Sequence, residues 1–298
     1  IQPFARCIEI KEACYGATAA LSFAKNYIEK NNDASVLVIA SDIARYGIDT
    51  PGESTQGAGS IAMLIKKDPA IAVINDENVC QTRDIMDFWR PNYSDFPYVD
   101  GHFSTKQYLD CLTTTFEEYK KRYNQSLDDF DAFCFHLPFP KLGLKAINSI
   151  LEKNIEKEIK NDFLEKFHAS IIYGKRVGNI YTGSLYLSLL SLLENCENLN
   201  GGDKIGMYSY GSGAVCEFFN LTLVEGFKNH LRCDRLNDFE NRKQLSMEEY
   251  ENMFFEKIVL DEEGNCDFSN NKFIQESDNS FVLAKIENHK RVYKKLNE

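Results

Sequence analysis

The spacing of apolar residues near the start of the chain predicts a strand that leads into an amphipathic helix. Arg6 to Ile10 is predicted as the strand. From Cys14 onward the apolar positions follow the i, i+3, i+4, i+7 pattern of one helix face, namely Ala17, Ala20, Leu21, Ala24 and Ile28. The helix is expected to end near Asn31, and a cysteine therefore lies where the strand meets the helix.

A continuous aliphatic run over Val36 to Ala40 predicts a second strand. Such a run is typical of a strand covered on both faces, as in a layered fold. A loop rich in Gly, Pro and Thr follows over 47–59, and Ser60 to Ile65 predicts the next strand.

A similar order of elements recurs later in the chain. It comprises a helix over 180–194, a strand over 204–210, the turn Gly211-Ser-Gly213 and a strand over 214–223. Alternating strands and helices favour an α/β fold, and the recurrence favours two related halves.

Further patterns fill the middle and the end of the chain. Residues 130–136 predict a strand, 141–167 are helical and rich in charge, and 281–286 predict a last strand. A further helix carries apolar residues on one face, namely Leu109, Leu112, Phe116 and Tyr123.

The composition is typical of a soluble globular protein and excludes several classes of function. The 298 residues are 43% hydrophobic and 27% charged, with a net charge of -11, which argues against nucleic acid as the main partner. The longest apolar runs are shorter than the ~20 residues needed to cross a bilayer, so no membrane association is expected. The cysteines have no Cys-x-x-Cys pair, which fits a cytoplasmic protein and predicts no metal site.

Cys14 and His136 are the candidate catalytic residues. Free N–H groups and the positive end of a helix dipole favour a thiolate at Cys14 and can hold the oxyanion of an acyl intermediate. A small buried cysteine is the alternative interpretation. His136 closes an apolar strand before Leu-Pro-Phe-Pro140, which prevents the strand from continuing. A hydrogen-bonded histidine of the core is the alternative there.

Candidate binding residues follow the same strands. Lys141 and Lys145 are four residues apart on a predicted helix, so both ammonium groups lie on one face and could bind phosphate, or could simply be solvated. Asn179 can cap a helix or donate to a substrate carbonyl. Ser212 lies between two glycines that allow close approach of a ligand, although a tight turn explains them equally.

Seven sequence blocks are spread over almost the whole chain. The first block runs from Arg6 to Thr18 around Cys14. The others are Val38-Ile-Ala-Ser-Asp-Ile-Ala-Arg-Tyr46, Thr55-Gln-Gly-Ala-Gly59, Met86-Asp-Phe-Trp-Arg-Pro91, Phe135-His-Leu-Pro-Phe139, Arg176-Val-Gly-Asn-Ile-Tyr-Thr-Gly183 and Tyr208-Ser-Tyr-Gly-Ser-Gly213. In this order they resemble the blocks of 3-hydroxy-3-methylglutaryl-CoA synthases, members of the thiolase superfamily, and those of the bacterial isoprenoid-pathway enzymes in particular.

The resemblance implies a fold, a division of the chain and a reaction. The fold is the thiolase-like α/β architecture of five layers, αβαβα, built from two related halves. Residues 1–69 would be the remainder of the N-terminal half, and 70–298 the C-terminal half with a C-terminal extension. The reaction is the condensation of acetyl-CoA with acetoacetyl-CoA to 3-hydroxy-3-methylglutaryl-CoA in the mevalonate pathway, through an acetyl-cysteine and without a further cofactor.

The resemblance also implies roles for individual residues. Cys14 is the nucleophile, and His136 holds the carbonyl oxygen of the acetoacetyl group. Lys141 and Lys145 bind the phosphates of coenzyme A. Residues near the acyl groups are Thr55, Ser104, Asn179 and Ser212.

One member of the family's catalytic set has no match in this sequence. The family uses a glutamate on a segment that precedes the cysteine as the general acid and base, so we expect a separate or additional N-terminal segment. A homodimer is also expected from the resemblance. Two alternatives stay open: a polyketide β-branching synthase whose acyl groups ride on carrier proteins, and a non-catalytic fragment of a nicked synthase.

Overall fold

The chain folds into two compact units, Ile1–Arg242 and Lys243–Glu298. A computed structural model describes residues 3–151, 155–269 and 281–296. The described helices of the first unit are α1 (Gly16–Lys30), α2 (Gly101–Tyr123), α3 (Pro140–Ile150), α4 (Lys157–Ser170), α5 (Ile172–Val177), α6 (Ser184–Asn195) and α7 (Arg235–Glu240). Its strands are β1 (Val36–Ala44), β2 (Gly57–Ile65), β3 (Ala72–Thr82), β4 (Phe88–Trp89), β5 (Tyr98–Val99), β6 (Ala132–Phe135), β7 (Lys204–Gly211) and β8 (Val215–Leu223).

A four-stranded sheet of order β3-β8-β7-β6 forms the centre of the first unit. β6 runs parallel to β7, whereas β8 is antiparallel to both of its neighbours. β1 and β2 form a separate antiparallel pair in which Ala40 lies opposite Ile61. Short strands β4 and β5 pair with each other. The α/β class predicted from the sequence is confirmed.

Helix α1 packs between the two sheets. Its buried residues Ala17, Leu21 and Ala24 belong to a core cluster that also contains residues of β1, of the central sheet and of α6. The other face of the central sheet packs against α2 and α3 through a second, aromatic-rich cluster. The first unit therefore stacks as helix, sheet, helix, sheet, with α1 in the helical layer between the two sheets.

The β1–β2 pair buries one face and exposes the other. Val38 and Ala40 point into the core, whereas Leu37 and Ile39 are exposed by 51% and 55%. The prediction that this strand is covered on both faces is therefore wrong for the described residues. An aliphatic run shows that its side chains favour burial. It does not show whether another helix or sheet covers each face of the strand.

The predicted strand over Arg6 to Ile10 is wrong. These residues pair with no strand among the residues that the structure describes, and Ile8 is 75% exposed. A strand exists only where a neighbouring strand accepts and donates its backbone hydrogen bonds, so the local sequence cannot guarantee it.

Most other predicted elements are confirmed, with shifted bounds. The helix predicted from residue 180 begins at Ser184, because Tyr181–Gly183 forms a 3-10 turn first. The helical stretch over 141–167 divides into α3 and α4, and residues 152–154 lie outside the described residues. No described helix is long and apolar enough to cross a membrane.

The second unit contains α8 (Met247–Phe255) and the strands β9 (Cys266–Asp267), β10 (Phe281–Glu287) and β11 (Lys290–Lys295). A capping box begins α8, in which Ser246 Oγ accepts from the Glu249 N–H at 3.2 Å. β10 pairs with β11 on one side and with β9 on the other. The strand predicted over 281–286 is confirmed as β10.

Candidate active site

Cys14 lies two residues before α1, on a backbone that is unusual for non-glycine residues. Ala13 has a φ of 41°, in the left-handed region, and the Tyr15 N–H donates to the carbonyl of Glu12 at 2.9 Å. Left-handed backbone at an ordinary residue is costly and concentrates at functional sites. The turn presents a half-buried thiol beside the start of the helix.

The surroundings of Cys14 favour the thiol over the thiolate. Burial raises the pKa of the Cys14 thiol, and the negative charges of Asp42 and Asp87 raise it further. The sequence-based expectation that the helix start favours a thiolate is therefore not supported, because desolvation and two carboxylates oppose the helix dipole. Acyl transfer to this sulfur must include removal of its proton.

Asp87 is a buried carboxylate that the sequence analysis did not assign to the site. Its side chain is fully buried and accepts from the Tyr210 hydroxyl at 2.8 Å, the Ser104 hydroxyl at 3.1 Å and the Gly213 N–H at 3.1 Å. The carboxylate thus joins the start of α2 to the loop after β7. The signal that could have found it is an acidic residue inside the aromatic block 86–91.

Ser104 provides one of the hydroxyl groups that donate to Asp87. Helix α2 begins after Asp100, whose carboxylate accepts from the Phe103 N–H at 3.0 Å. This cap places Ser104 in the first turn. Ser104 was predicted as a substrate contact, but its described hydrogen bond goes to Asp87.

An aromatic cluster lies beside the thiol. The ring of Tyr46 packs edge-on against Phe88 at 5.8 Å and against Tyr181 at 6.2 Å. Burial is the main cause that raises the pKa values of the Tyr46 and Tyr181 hydroxyls, and the charge of Cys14 raises both further. Both phenols therefore stay protonated at neutral pH within electrostatic range of the sulfur.

Asn179 joins this cluster to the loop that contains Thr55. Its side-chain amide donates to the Tyr46 hydroxyl at 2.7 Å, and its backbone N–H donates to the carbonyl of Thr55 at 2.9 Å. Its Oδ1 accepts from the Tyr181 N–H at 2.9 Å and from the Ser184 hydroxyl at 2.8 Å. Asn179 thus organises its own loop, and the structure brings it together with Thr55 near Cys14.

The loop that carries Ser212 packs directly on the cysteine turn. A Cβ atom added at Gly211 would lie 2.8 Å from the Tyr15 backbone nitrogen and 3.0 Å from the Glu12 carbonyl oxygen. Only glycine fits such an approach. Ser212 is half-buried, and the next residue, Gly213, donates to Asp87. The structure therefore places Ser212 between Asp87 and the turn around Cys14.

His136 lies at the end of β6, on the same sheet edge as that loop. The backbone N–H of His136 donates to the Tyr208 carbonyl at 2.8 Å, and its backbone carbonyl accepts from the Tyr108 hydroxyl at 2.9 Å. The side chain is 2% exposed, and within the described ranges its Nδ1 has no hydrogen-bond partner. Burial lowers the pKa of His136 to about 3, so the imidazole is neutral at physiological pH.

We expect His136 to make the protein less stable in acid. Its pKa lies at about 3 when folded and near 6.5 when exposed, so the unfolded chain binds the proton more strongly. The contribution of the neutral His136 to the free energy of unfolding is complete above pH 6.5, falls by about 1.4 kcal/mol per pH unit between pH 6.5 and 3, and changes no further below that. Urea unfolding of His136→Gln should therefore show a shallower loss of stability between pH 6.5 and 4 than the parent.

The control for this prediction is His102→Gln, because His102 is exposed. It should keep the parent's pH dependence. Equal slopes for the parent and His136→Gln would contradict the burial of a neutral imidazole.

Lys141 and Lys145 lie on the exposed face of α3, whose opposite face buries Leu142 and Ala146. The helix begins with Pro140, four residues after His136. The predicted arrangement of two ammonium groups on one helix face is therefore present. Within the residues that the structure covers, no group of three His, Cys, Asp or Glu side chains is arranged to hold a metal ion.

Comparison with known proteins identifies the family. The profile of the hydroxymethylglutaryl-coenzyme A synthase N-terminal region matches residues 5–70, and that of the C-terminal region matches 73–154 and 143–296. A crystal structure of HMG-CoA synthase complexed with CoA is 58% identical, with a TM-score of 0.95, over 99% of this chain and 75% of that chain.

Two curated relatives agree with these matches. Hydroxymethylglutaryl-CoA synthase of Enterococcus faecalis is 49% identical over 88% of this chain and 68% of its own length. The polyketide biosynthesis 3-hydroxy-3-methylglutaryl-ACP synthase PksG of Bacillus subtilis is 34% identical over 84% of this chain and 63% of its own length. The chain thus spans about two thirds of the length of these relatives, and it belongs to the hydroxymethylglutaryl-CoA synthase family, with that family's thiolase-like fold.

Proposed function

We propose that Cys14 carries an acetyl group in the synthesis of 3-hydroxy-3-methylglutaryl-CoA. The Cys14 sulfur attacks the carbonyl carbon of acetyl-CoA, and coenzyme A leaves as the thiol. A base removes a proton from the acetyl methyl group, and the resulting carbanion attacks the ketone carbon of acetoacetyl-CoA, whose oxygen takes up a proton. Water then hydrolyses the cysteine thioester, which releases the product and the free thiol.

The observation that carries the proposal is the setting of Cys14. A half-buried thiol lies on a left-handed turn just before α1, within the region that matches the N-terminal family profile. Two carboxylates, Asp42 and Asp87, and two phenols, Tyr46 and Tyr181, interact electrostatically with the sulfur. An enclosed polar site of this kind can orient an acyl group and stabilise the charge of its intermediate.

The state of His136 supports its role with the second substrate. A neutral imidazole can donate one N–H to a ketone oxygen without adding a charge to a buried site. Nδ1 has no partner among the described residues, so this nitrogen is free for a ligand. We propose that His136 polarises the acetoacetyl ketone, and that Asn179, Thr55, Ser104 and Ser212 shape the pocket around the acyl groups.

The base that removes the methyl proton is, in our proposal, a glutamate outside these 298 residues. The family carries it on a segment ahead of the cysteine, and no block of this sequence matches that segment. The proposal also includes a homodimer in the cytoplasm, as the resemblance implies.

The test is incubation of the protein with labelled acetyl-CoA, with and without acetoacetyl-CoA. We expect an acetylated Cys14 from the 298-residue chain and product turnover when the glutamate segment is also present. A folded protein that never accepts the label would instead be a non-catalytic fragment. Turnover by the 298 residues alone would show that one of their own side chains is the base.

Removal of both Lys141 and Lys145 should weaken the binding of free coenzyme A about tenfold. Two ammonium groups that bind phosphate contribute through charge-assisted contacts, which salt screens because both side chains are exposed. Calorimetric titration of the double alanine variant at two salt concentrations measures both effects. The variant should lose affinity and should also depend less on salt than the parent.

The matched control removes two exposed lysines elsewhere, Lys121 and Lys157, and should bind coenzyme A like the parent. Equal losses in both double variants would assign the effect to net charge. Failure of the parent to bind free coenzyme A, with acetyl transfer from an acyl carrier protein instead, would favour the polyketide β-branching alternative.

A further inference from the structure

A hydroxyl from a distant loop caps the helix that begins beside Cys14. The Ala17 N–H, in the first turn of α1, donates to Thr182 Oγ1 at 2.7 Å. The first N–H groups of a helix have no partner within the helix. Tyr15 occupies the N-cap position and provides no side-chain cap. Thr182, 165 residues away along the chain, therefore supplies the acceptor.

The loop that presents Thr182 is fixed by its own hydrogen bonds. Tyr181 adopts a left-handed φ of 47°, and its N–H donates to Asn179 Oδ1 at 2.9 Å. The Ser184 hydroxyl donates to the same oxygen and accepts from the Ile180 N–H at 2.9 Å. The position of the Thr182 hydroxyl is thus set by the network that also orients Asn179.

A second hydroxyl pair holds the same turn of α1 from the side of the core. Thr18 Oγ1 donates to Ser209 Oγ at 2.8 Å and lies 2.7 Å from the Tyr186 hydroxyl. These bonds attach α1 to β7 and α6. The bond to Thr182 differs, because it attaches the start of α1 to the loop whose Tyr181 and Asn179 lie beside the thiol.

We propose that Thr182 is a positioning residue for Cys14. It couples the start of α1 to the 179–184 loop, so that the sulfur and the polar groups of that loop keep one relative geometry during acetyl transfer. This inference rests on the proposed function. Loss of this hydrogen bond would disturb the orientation of the Cys14 sulfur relative to the 179–184 loop, and acyl transfer is sensitive to such orientation. It would not affect the proposed binding of coenzyme A at α3.

The test compares Thr182→Val, which has the same shape but no acceptor, with Thr182→Ser, which keeps the hydroxyl. We expect Thr182→Val to acetylate Cys14 about tenfold more slowly with an unchanged KM for acetyl-CoA, and Thr182→Ser to stay near the parent. Hydrogen exchange of the peptide that begins α1 should be faster in Thr182→Val than in the other two proteins.

Thr115→Val is the matched control. Thr115 is 1% exposed, and its hydroxyl donates to the Cys111 carbonyl at 2.8 Å within α2. It should lower the urea midpoint and leave acetylation unchanged. Parent-like acetylation or parent-like exchange in Thr182→Val would overturn the inference, as would an equal slowing in Thr115→Val. If the parent itself does not take up acetyl groups, the proposed function fails, and the exchange result still decides whether Thr182 anchors α1.

Discussion

Cys14→Ser should abolish acetyl transfer from acetyl-CoA, with a loss of roughly 10⁴-fold or more. A serine hydroxyl is a far weaker nucleophile than a thiol, and its proton must leave in a setting that already disfavours the negative charge. Burial and the charges of Asp42 and Asp87 raise the pKa of the Cys14 thiol, and the same surroundings oppose a negative charge on a serine oxygen. Labelled acetyl-CoA, followed by proteolysis and mass analysis of the peptides, measures the loss.

Cys7→Ser is the control, because Cys7 is exposed and lies in the segment that precedes the turn. This variant should acetylate like the parent. Full labelling of Cys14→Ser, or a label that maps to Cys7, would contradict the assignment of the nucleophile. Unchanged unfolding of Cys14→Ser in urea would show that its loss of activity is chemical.

The sequence predicts those elements whose signal is local. The apolar stripe of α1 and the apolar runs of β1 and β2 depend only on residues close together in the sequence. The structure confirms the helix and both strands. The segment Arg6–Ile10 fails as a strand because pairing depends on a distant partner. Helix α6 begins late because the turn at Tyr181 has a local geometry that periodicity cannot reveal.

The residues of the candidate site also differ in whether their signal is local in the sequence or depends on distant segments. Cys14 could be proposed because the apolar stripe of α1 marks the helix that begins just after it, although the strand predicted before it is absent among the described residues, and His136 could be proposed because it closes an apolar strand. Asp87 is visible in the sequence only as an acidic residue inside an aromatic block, and its importance comes from three donors on two distant segments that meet only after folding. The cap by Thr182 is invisible in the sequence, because 165 residues separate donor and acceptor.

Asp87→Ala should destabilise the protein by about 3–5 kcal/mol. The carboxylate accepts hydrogen bonds from Tyr210, Ser104 and the Gly213 N–H in a fully buried position. Truncation leaves these donors without their acceptor. A buried donor left unsatisfied costs about 1–3 kcal/mol, and the costs of three donors that share one acceptor do not add fully. Urea unfolding measures the change. The exposed neighbour Asp84 provides the control, and Asp84→Ala should stay within about 0.5 kcal/mol of the parent.

Asp87→Asn removes the negative charge of the side chain but nearly keeps its shape. This variant should make Cys14 more reactive toward alkylation. The negative charge of Asp87 raises the pKa of the Cys14 thiol, so its removal lowers that pKa and increases the thiolate fraction at a given pH. The pH profile of iodoacetamide labelling at Cys14 should therefore move to lower pH, whereas Asp84→Asn should leave it in place. A profile that moves to higher pH would mean that the hydrogen bonds of Asp87, and not its charge, govern the thiol. The two substitutions together thus distinguish a carboxylate that only holds the segments of the site together from one that also keeps the Cys14 thiol protonated.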